Sequence, residues 1–362
     1  MLILLLLLAL ILSASITYLT TPFVIRLARK LQLVDDPSLR PHPAHTHKGK
    51  LPRAGGLAIF SGIFISLFLV SAPHTIIFGI FISAAILVLV GIWDDRKDRS
   101  PYIRFATNSL ATLLVIIAGI SIPYITNPFG GIIQLDAFQV SFTLVGLPLT
   151  ITAAHVVAFL WIVWMTNIIG WSGGVDGQLP GFVSISAFVI GLLSLRYATV
   201  DENQVHVTLL SFATAGAFLG FLPWNFYPQK IMPGYGGKTL AGFLLAVLSI
   251  LSFSKLGTAL LVLVIPFTDA IFILFQRLLS KRSPMHASSN HLHHHLLALG
   301  WGRRKIAVFY WIISALTGTA SLILNSKQKV FVVLLVLVLT AGFILWINFL
   351  IKLPHKWREE EY

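Results

Sequence analysis

The 362-residue chain contains no cysteine, and only 13 of its residues are Asp or Glu. The absence of cysteine excludes disulfide bonds, thiolate zinc sites and cysteine nucleophiles. Charged residues of both signs make up 11% of the chain, against about 25% in an ordinary soluble domain. Because 56% of the residues are hydrophobic and the mean hydropathy is +0.86, this shortage of charge predicts an integral membrane protein.

Long apolar runs of about 17 to 25 residues, enough to cross roughly 30 Å of hydrocarbon, recur along the chain. They predict an all-α polytopic protein with about 11 transmembrane helices, near residues 2–25, 55–72, 75–93, 102–125, 150–169, 179–196, 206–224, 239–254, 257–276, 305–324 and 329–351. No basic residue precedes the first run, so we expect an uncleaved span rather than a secretory signal. Without an internal repeat or a low-complexity linker, residues 1–362 are expected to form a single domain.

Lys and Arg are distributed unevenly between the connections. If the connection after the first span is inside and the sides alternate, 22 of the 26 Lys and Arg residues lie inside. Such an excess marks cytoplasmic loops, so the N-terminus is predicted outside, the C-terminus cytoplasmic, and the active face on the cytoplasmic side of the cell membrane. This basic face would attract anionic membrane lipid, a nucleotide or a lipid phosphate. Charge spread over separate short loops argues against nucleic acid as a partner.

One outside connection differs from the others. Between the fourth and fifth spans, Asn127-Pro128 and Gly130-Gly131 precede the alternating stretch Ile133–Val140. Turn residues followed by alternation are typical of a hairpin. We therefore expect a short outer β-hairpin near residues 130–145.

Two adjacent acids, Asp94 and Asp95, follow the third span. Neighbouring carboxylates near lipid repel each other and are usually compensated by a metal cation or a proton. The basic residues Arg96, Lys97 and Arg99 could instead neutralise a solvated pair. The pair alone therefore favours neither a functional site nor an ordinary loop.

Two glycine-rich segments lie on predicted inside connections. Asn167–Gln178 has four glycines and Asp176, but no Lys or Arg. Glycine-rich backbone at membrane depth needs protein or a polar cavity to satisfy its amides, which favours a ligand loop over a flexible turn. The second segment, Pro233–Thr239, contains Lys238 and lies before the eighth span, but it lacks the spacing of a P-loop.

A histidine cluster, His291–His295, lies in the basic connection after the ninth span. Histidines there could ligate a metal or bind phosphate oxygens; the alternative is an interfacial amphipathic helix, because leucines supply an apolar stripe. All these polar groups fall on inside connections, so one site could hold a metal-bound diphosphate. A transporter would place its polar groups at mid-span, where Asp269 is nearly the only acid.

In this order, these residues resemble the polyprenyl-phosphate N-acetylhexosamine-1-phosphate transferases, the superfamily of translocase I and the undecaprenyl-phosphate GlcNAc-1-phosphate transferases, of the glycosyltransferase family 4 type. The resemblance runs from about Asp36 to Gly300. The matching residues are Asp36-Pro37, His47, Pro52–Gly56, Asp94-Asp95, Arg104, Asn167, Val175–Gly177, Asn225, Pro228, Gly234, Pro266-Phe267, Asp269 and His291–His294.

The chain departs from the family pattern at five positions. Gly170 and Gly173 stand where the second Asn and the first Asp of N-x-x-N-x-x-D-G-x-D-G are usual, and Ser288 replaces an Asp before the histidines. Tyr235 and Lys238 replace the Asp and Ser of G-D-x-G-S. By resemblance, the acid lost at 235 is a magnesium ligand, and the acid lost at 173 helps seat the nucleotide. Tyrosine cannot replace a carboxylate on a hard cation, whereas Lys238 could bring positive charge to a diphosphate directly.

The resemblance implies transfer of a phospho-N-acetylhexosamine from a UDP-sugar to polyprenyl (undecaprenyl) phosphate at the cytoplasmic face, as the first step of cell-envelope glycan assembly. It implies Mg²⁺ as cofactor, with Asp94 and Asp95 orienting the metal or the lipid phosphate. The catalytic set would be Asp94, Asp95, Lys238, His291, His293 and His294, and the substrate-binding set His47, Arg53, Arg104, Asn167, Asp176 and Asn225. The alternative is a catalytically degenerate relative that binds the lipid carrier, the nucleotide-sugar or partner proteins without turnover.

Overall fold

The structure is a computed structural model that describes residues 1–38, 49–71, 74–127, 130–144, 147–252, 255–281 and 291–350. Within these ranges the helices are α1 (Leu2–Lys30), α2 (Gly55–Val70), α3 (Thr75–Lys97), α4 (Pro101–Ile117), α5 (Ala153–Ser172), α6 (Gln178–Leu195), α7 (Asn203–Asn225), α8 (Gly234–Leu251), α9 (Lys255–Val262), α10 (Val264–Leu279), α11 (Leu292–Ala298), α12 (Arg303–Ile323) and α13 (Ser326–Leu350). The strands are β1 (Val34–Asp35), β2 (Leu51–Pro52), β3 (Tyr124–Thr126), β4 (Ile132–Gln134), β5 (Gln139–Leu144) and β6 (Leu147–Thr152). They form three antiparallel pairs, β1–β2, β3–β4 and β5–β6.

Eight of these helices are long and apolar enough to cross a membrane, so the chain is a multi-pass membrane protein. The pair α9–α10 passes the same test only when taken together, and it is bent by 87°. The helices α2 and α4 are apolar but shorter. These helical segments coincide with the predicted apolar runs, which confirms the all-α polytopic fold.

The centre of the bundle is formed by α7 and α8. In both, 78% of the most apolar stretch is buried, against 22% in α1 and 17% in α13. Small residues bring α1 close to α7: a side chain at Gly216 or Gly220 would overlap the backbone of Leu10 or Ala14. Such close backbone approach is typical of helix packing in membranes, where dispersion contacts replace the hydrophobic effect.

Glycines also bring α2 and α3 against the first turn of α8. A Cβ at Gly56 would overlap the backbone of Gly237, and a Cβ at Gly91 would overlap the backbone of Gly236. The region after β2 is joined to the same turn, because the Gly55 amide donates to the Met232 carbonyl at 3.0 Å. These contacts bring two connections that are distant in sequence to the same end of the bundle.

The fourth predicted span is shorter than expected. α4 ends at Ile117 in a Schellman motif, in which the Ile120 amide donates to the Val115 carbonyl at 3.1 Å and Gly119 adopts a φ of +102°. A positive φ at the residue after a helix favours glycine. The apolar residues that follow form β3 instead of helix.

A β-hairpin is present in the predicted connection, although its boundaries are shifted. The stretch Ile133–Val140 is divided between β4, which pairs with β3, and β5, which pairs with β6. The hairpin of β5 and β6 extends to Thr152, beyond the predicted range. Alternation marks strand residues but carries no information about which strand is the partner.

Both glycine-rich segments are more helical than predicted. α5 continues to Ser172, whose hydroxyl donates to the Ile168 carbonyl at 2.8 Å, so the loop is reduced to residues 173–177. α8 begins at Gly234, so the segment Pro233–Thr239 is the start of a helix rather than a loop. A helical glycine costs only about 1 kcal/mol relative to alanine, and close packing overrides that preference.

The ninth predicted span is broken between α9 and α10. Pro266 is the third residue of α10, where the absence of an amide hydrogen is tolerated, but it prevents α9 from continuing through it. The 87° bend carries Asp269 away from the axis of α9. Asp269 is thereby positioned to contact the segment before α11.

Candidate functional site

The carboxyl ends of α3, α5 and α7 meet the amino ends of α2, α6, α8 and α12 at one end of the bundle, here called the site end. Arg53 lies 3.2 Å from Asp95, which joins the segment before α2 to α3. Asp176, between α5 and α6, lies 3.5 Å from Arg303 at the start of α12. The predicted inside connections that the structure describes therefore share one end.

Asp94 is buried in the last turn of α3, which continues to Lys97. Its two carboxylate oxygens accept hydrogen bonds from Arg104 on α4, at 2.7 Å from Nε and 3.0 Å from Nη2. The Arg99 backbone amide also donates to Oδ1 at 3.0 Å. Such a bidentate salt bridge is a strong arrangement for an arginine and a carboxylate. It holds α4 against α3.

Asp95 is also buried, and it faces the first turn of α8. Its Oδ1 accepts the backbone amide of Tyr235 at 3.0 Å and lies 3.2 Å from Arg53 Nε. Gly234 contacts the carboxylate so closely that a Cβ would overlap Oδ2. The carboxylate thus satisfies an otherwise orphaned amide at a helix start, where negative charge is stabilised.

Arg53 is held in place by its backbone. Its amide donates to the Leu33 carbonyl at 2.9 Å, and the preceding Pro52 carbonyl accepts from Met232 at 2.8 Å. Burial alone would lower the pKa of Arg53, but the carboxylates of Asp95 and Asp35 raise it overall. Arg53 therefore stays a cation beside Asp95.

Tyr235, at the position of the family's missing acid, is packed against Arg104. The Arg104 guanidinium lies 5.1 Å from the centre of the tyrosine ring, a cation–π distance. The hydroxyl donates weakly, at 3.3 Å to Asn108 Oδ1 and 3.4 Å to the Arg104 carbonyl. Tyr235 therefore supports the arginine that holds Asp94.

Lys238 lies one turn after Tyr235 on α8 and is half-buried. It interacts electrostatically with Arg53 and Asp95 and with His293. Within the described ranges its ammonium forms no ion pair. The charge of Lys238 therefore acts on both Asp95 and His293.

The loop between α5 and α6 is held by side chains of its neighbours. The Val175 amide donates to Gln178 Oε1 at 3.1 Å, and the Gly177 amide donates to Asn225 Oδ1 at 3.0 Å. The Asn225 amide group in turn donates to the Ile231 carbonyl at 2.9 Å. Several amides predicted to face a ligand are thus used by the protein, and Asn225 shapes the loop.

Asp176 is the acid that this loop presents. Its side chain is buried, Oδ2 lies 3.5 Å from Arg303 Nη1, and Oδ1 has no hydrogen-bond partner among the described residues. Burial raises the pKa of Asp176, and the positive charge of Arg303 opposes that rise. An unpaired buried oxygen is costly, so Oδ1 is suited to accept a hydrogen bond from a ligand.

The histidine cluster is positioned by an acid from α10. Asp269 accepts hydrogen bonds from the Leu292 amide at 2.8 Å and pairs with His291 Nδ1 at 2.8 Å. Leu292 and Leu296 are buried, so the predicted apolar stripe of α11 is present as well. Asp269 therefore fixes both the start of α11 and the ring of His291.

His293 joins the histidine cluster to the glycine loop. Its ring contacts Gly174 so closely that a Cβ there would overlap the imidazole. Burial, together with His294 and His291, lowers the pKa of His293 well below its ordinary value, so the ring is neutral at pH 7. Its Nδ1 is buried without a hydrogen-bond partner in the part of the chain that the structure describes.

The predicted magnesium site can be compared with these contacts. Mg²⁺ takes oxygen ligands, usually one or two carboxylates together with substrate phosphates. Here Arg104 occupies both oxygens of Asp94, and Arg53 and an amide occupy Oδ1 of Asp95. Among the described residues, no group of three His, Asp or Glu side chains could hold a metal. The residues present do not fit a magnesium ion at this pair.

The structure thus brings most of the predicted site residues to one end of the bundle. Many of them contact other protein groups there, where the sequence predicted a metal or a substrate. His47 and Ser288 lie outside the described residues. Asn167 uses its amide on the Val163 carbonyl, at 2.7 Å. Two neighbours were not among the predicted site residues. Asp269 had been named only as a match to the family and as a mid-span acid, and Arg303 had been counted only among the basic residues of its connection.

Comparisons with known proteins show which sequences this chain is similar to. The family model described as "Glycosyl transferase family 4" matches residues 77–253. The chain is 29% identical over 326 residues to the "Probable undecaprenyl-phosphate N-acetylglucosaminyl 1-phosphate transferase" of Bacillus subtilis, with 88% of this chain and 84% of that protein covered. Over residues 77–253 the chain is therefore similar to glycosyl transferase family 4.

Two further relatives are similar to this chain over most of its length. The "Decaprenyl-phosphate N-acetylglucosaminephosphotransferase" of Mycobacterium leprae is 27% identical, with 91% of this chain and 87% of that protein covered. The "Undecaprenyl-phosphate alpha-N-acetylglucosaminyl 1-phosphate transferase" of Escherichia coli K12 is 28% identical, with 91% and 88% covered. The family 4 match contains both aspartates of the pair, Asp176 and Lys238, but ends before the histidine cluster.

Proposed function

We propose that the protein transfers a phospho-N-acetylhexosamine from a UDP-sugar to a polyprenyl phosphate such as undecaprenyl phosphate, at the cytoplasmic face of the cell membrane. The observation that carries this proposal is the convergence of cations, carboxylates and histidines at one end of a membrane bundle, in a chain that matches the family 4 model. Phosphoryl transfer requires little covalent chemistry from a protein, and mostly positioning and charge stabilisation.

In the proposed reaction an oxygen of the polyprenyl phosphate attacks the sugar-linked phosphorus of the UDP-sugar. A new P–O bond forms, the bridging P–O bond breaks, and its electron pair leaves with UMP. The product is a polyprenyl-diphosphate sugar, which would begin a cell-envelope glycan.

The contacts suggest a role for each side of the site. Asp176 offers its unpaired Oδ1 to a donor of the nucleotide, and the positive charge of Arg303 favours the ionised form of the acid. His293 offers an unpaired ring nitrogen to the diphosphate, in the neutral form that its burial favours. His291 is oriented by Asp269, and the arginine-paired aspartates hold the cations near the transferred phosphoryl group.

The direct test is to incubate the purified protein with undecaprenyl phosphate and a panel of UDP-sugars, with and without Mg²⁺, and to measure UMP and lipid-linked sugar. We expect both products in equal amounts from a UDP-N-acetylhexosamine. Asp94→Asn should reduce the rate at least about 100-fold, the scale of losing one preorganised charge contact. Absence of both products with every donor, under both conditions, would show that the protein is a degenerate relative.

A further inference from the structure

Two residues at the start of α8, Tyr235 and Lys238, differ from the family pattern, and together they raise the local charge by two units. Two units is the charge of one divalent cation. Relative to the G-D-x-G-S pattern, Tyr235 removes one negative charge and Lys238 adds one positive charge. Both residues lie in the first turns of α8, beside the carboxylate of Asp95. The site end is therefore two charge units more positive than the pattern would make it.

Tyr235 is integrated into the packing around the carboxylate pair. Its amide holds Asp95 at 3.0 Å, and its ring lies 5.1 Å from the guanidinium of Arg104. Arg104 in turn holds both oxygens of Asp94. A metal ion at the pair would have to displace arginines that are packed and hydrogen-bonded, which disfavours it.

Lys238 supplies a positive charge that no described carboxylate neutralises. It is half-buried and forms no ion pair with any residue that the structure describes, although it interacts electrostatically with Asp95 and His293. A partly buried ammonium without a partner is costly. Lysine is a common phosphate ligand that acts as a point charge, so a phosphate group between the aspartates and His293 would satisfy it.

We propose that Lys238 binds the diphosphate of the sugar donor directly and that the reaction proceeds without a divalent cation at the aspartate pair. This inference rests on the proposed function. Lys238 compensates the charge that develops on the phosphoryl oxygens as the bridging P–O bond breaks and UMP leaves. Arg53 and Arg104 neutralise the aspartates, so the diphosphate does not meet an uncompensated pair.

The first test measures UMP release in excess EDTA. The wild-type protein should keep at least half of its rate when divalent cations are removed. Lys238→Ala should lose at least 100-fold, and Lys238→Arg should recover part of the rate. Lys305→Ala is the matched control, because it removes an exposed lysine at the same end, where Lys305 lies 4.2 Å from the Trp301 ring.

A second measurement does not depend on turnover. Titration with Mn²⁺ alone, followed by electron paramagnetic resonance, should detect no specific site on the wild-type protein at micromolar concentration. The double variant Tyr235→Asp/Lys238→Ser should gain one site, because it restores a carboxylate and removes the competing charge. Tyr235→Phe, which keeps the packing and adds no acid, should gain none, and thermal unfolding of each variant checks that it is folded.

The outcomes separate this inference from the proposed function. If the wild-type protein releases UMP only with a divalent cation, the inference is wrong and the function stands. If it binds one Mn²⁺ tightly, the inference is wrong, and UMP release alone decides the function. If Lys238→Ala keeps the wild-type rate, Lys238 does not bind the diphosphate. If UMP is absent under all conditions while Mn²⁺ still fails to bind, the function fails although the aspartate pair excludes the metal.

Discussion

The charge around each acid at the site end is set by a partner from another segment of the chain. Asp94 is paired with Arg104, and Asp95 is paired with Arg53. Tyr235 lies beneath Arg104 and replaces a carboxylate with a ring. The chemical character of the aspartate pair is therefore set by the arginines around it, which turn two repelling acids into two neutral pairs.

At this scale, Arg303 should control the pH dependence of the reaction. Burial raises the pKa of Asp176, and the positive charge of Arg303 lowers it. Removing that charge in Arg303→Gln should raise this pKa further, so a reaction that needs ionised Asp176 should lose activity at a higher pH as the solution is acidified. The acid limb of the rate profile for UMP release should move up by about one pH unit, a typical effect of one nearby charge.

Arg304→Gln is the matched control for this shift. Arg304 instead donates from Nε to the Tyr227 carbonyl at 3.2 Å, and its guanidinium lies over the rings of Phe226 and Tyr227. Its removal changes the net charge of the protein equally but should leave the acid limb in place. An equal shift in both variants would mean that long-range charge, rather than the Asp176–Arg303 contact, sets the profile.

At the scale of helices, glycine contacts determine how closely the site residues approach one another. α3 and α8 meet where Gly91 lies against the backbone of Gly236. This contact occurs one turn from Asp94 and Asp95, and it allows the Tyr235 amide to reach the Asp95 carboxylate. Helix packing and the geometry of the carboxylate pair are therefore coupled.

Gly91→Ala should destabilise the protein by about 1–3 kcal/mol, the usual cost of overpacking a tight contact. The added methyl group would meet backbone atoms that cannot rotate away. Gly342→Ala is the control, since nothing lies within 4 Å of a Cβ at Gly342 on α13. Thermal unfolding in detergent should show a lower midpoint for Gly91→Ala alone; equal midpoints would show that the α3–α8 contact is looser than described.

The whole molecule is a bundle of membrane helices that alternate in direction. The ion pairs of Asp94, Asp95 and Asp176 all lie at its site end. The uneven distribution of Lys and Arg predicts that this end faces the cytoplasm. Because the chain has no cysteine, any introduced thiol is the only one present. Orientation can therefore be measured by labelling single cysteines from one side of the membrane.

Tyr102→Cys and Phe138→Cys place a thiol near the two predicted faces, where the native side chains are 77% and 66% exposed. A membrane-impermeant maleimide should label Phe138→Cys in intact cells. It should label Tyr102→Cys only after the membrane is permeabilised. The reverse pattern would overturn both the predicted orientation and a cytoplasmic site.

Several features follow from the sequence by itself. The apolar runs determine a multi-pass helical protein, because a bilayer demands about 20 apolar residues for each helical crossing. The order of the motifs is sufficient to recognise the family and to select Asp94, Asp95, Asp176, Lys238 and His293. Helix boundaries were less accurate. α8 includes glycines because close packing overrides their weak helix preference, whereas α4 ends early because Gly119 terminates it.

Only the tertiary structure decided what those residues contact. Asp269 and His291 are 22 positions apart, and Tyr235 and Asp95 are 140 apart, yet each pair is joined by a hydrogen bond. No local pattern encodes such distances, because they depend on which helices pack together and in what rotation. For the same reason the sequence predicted a magnesium site at the aspartates, whereas the fold surrounds them with arginines. A carboxylate's preferred partner is set by the nearest charge in space.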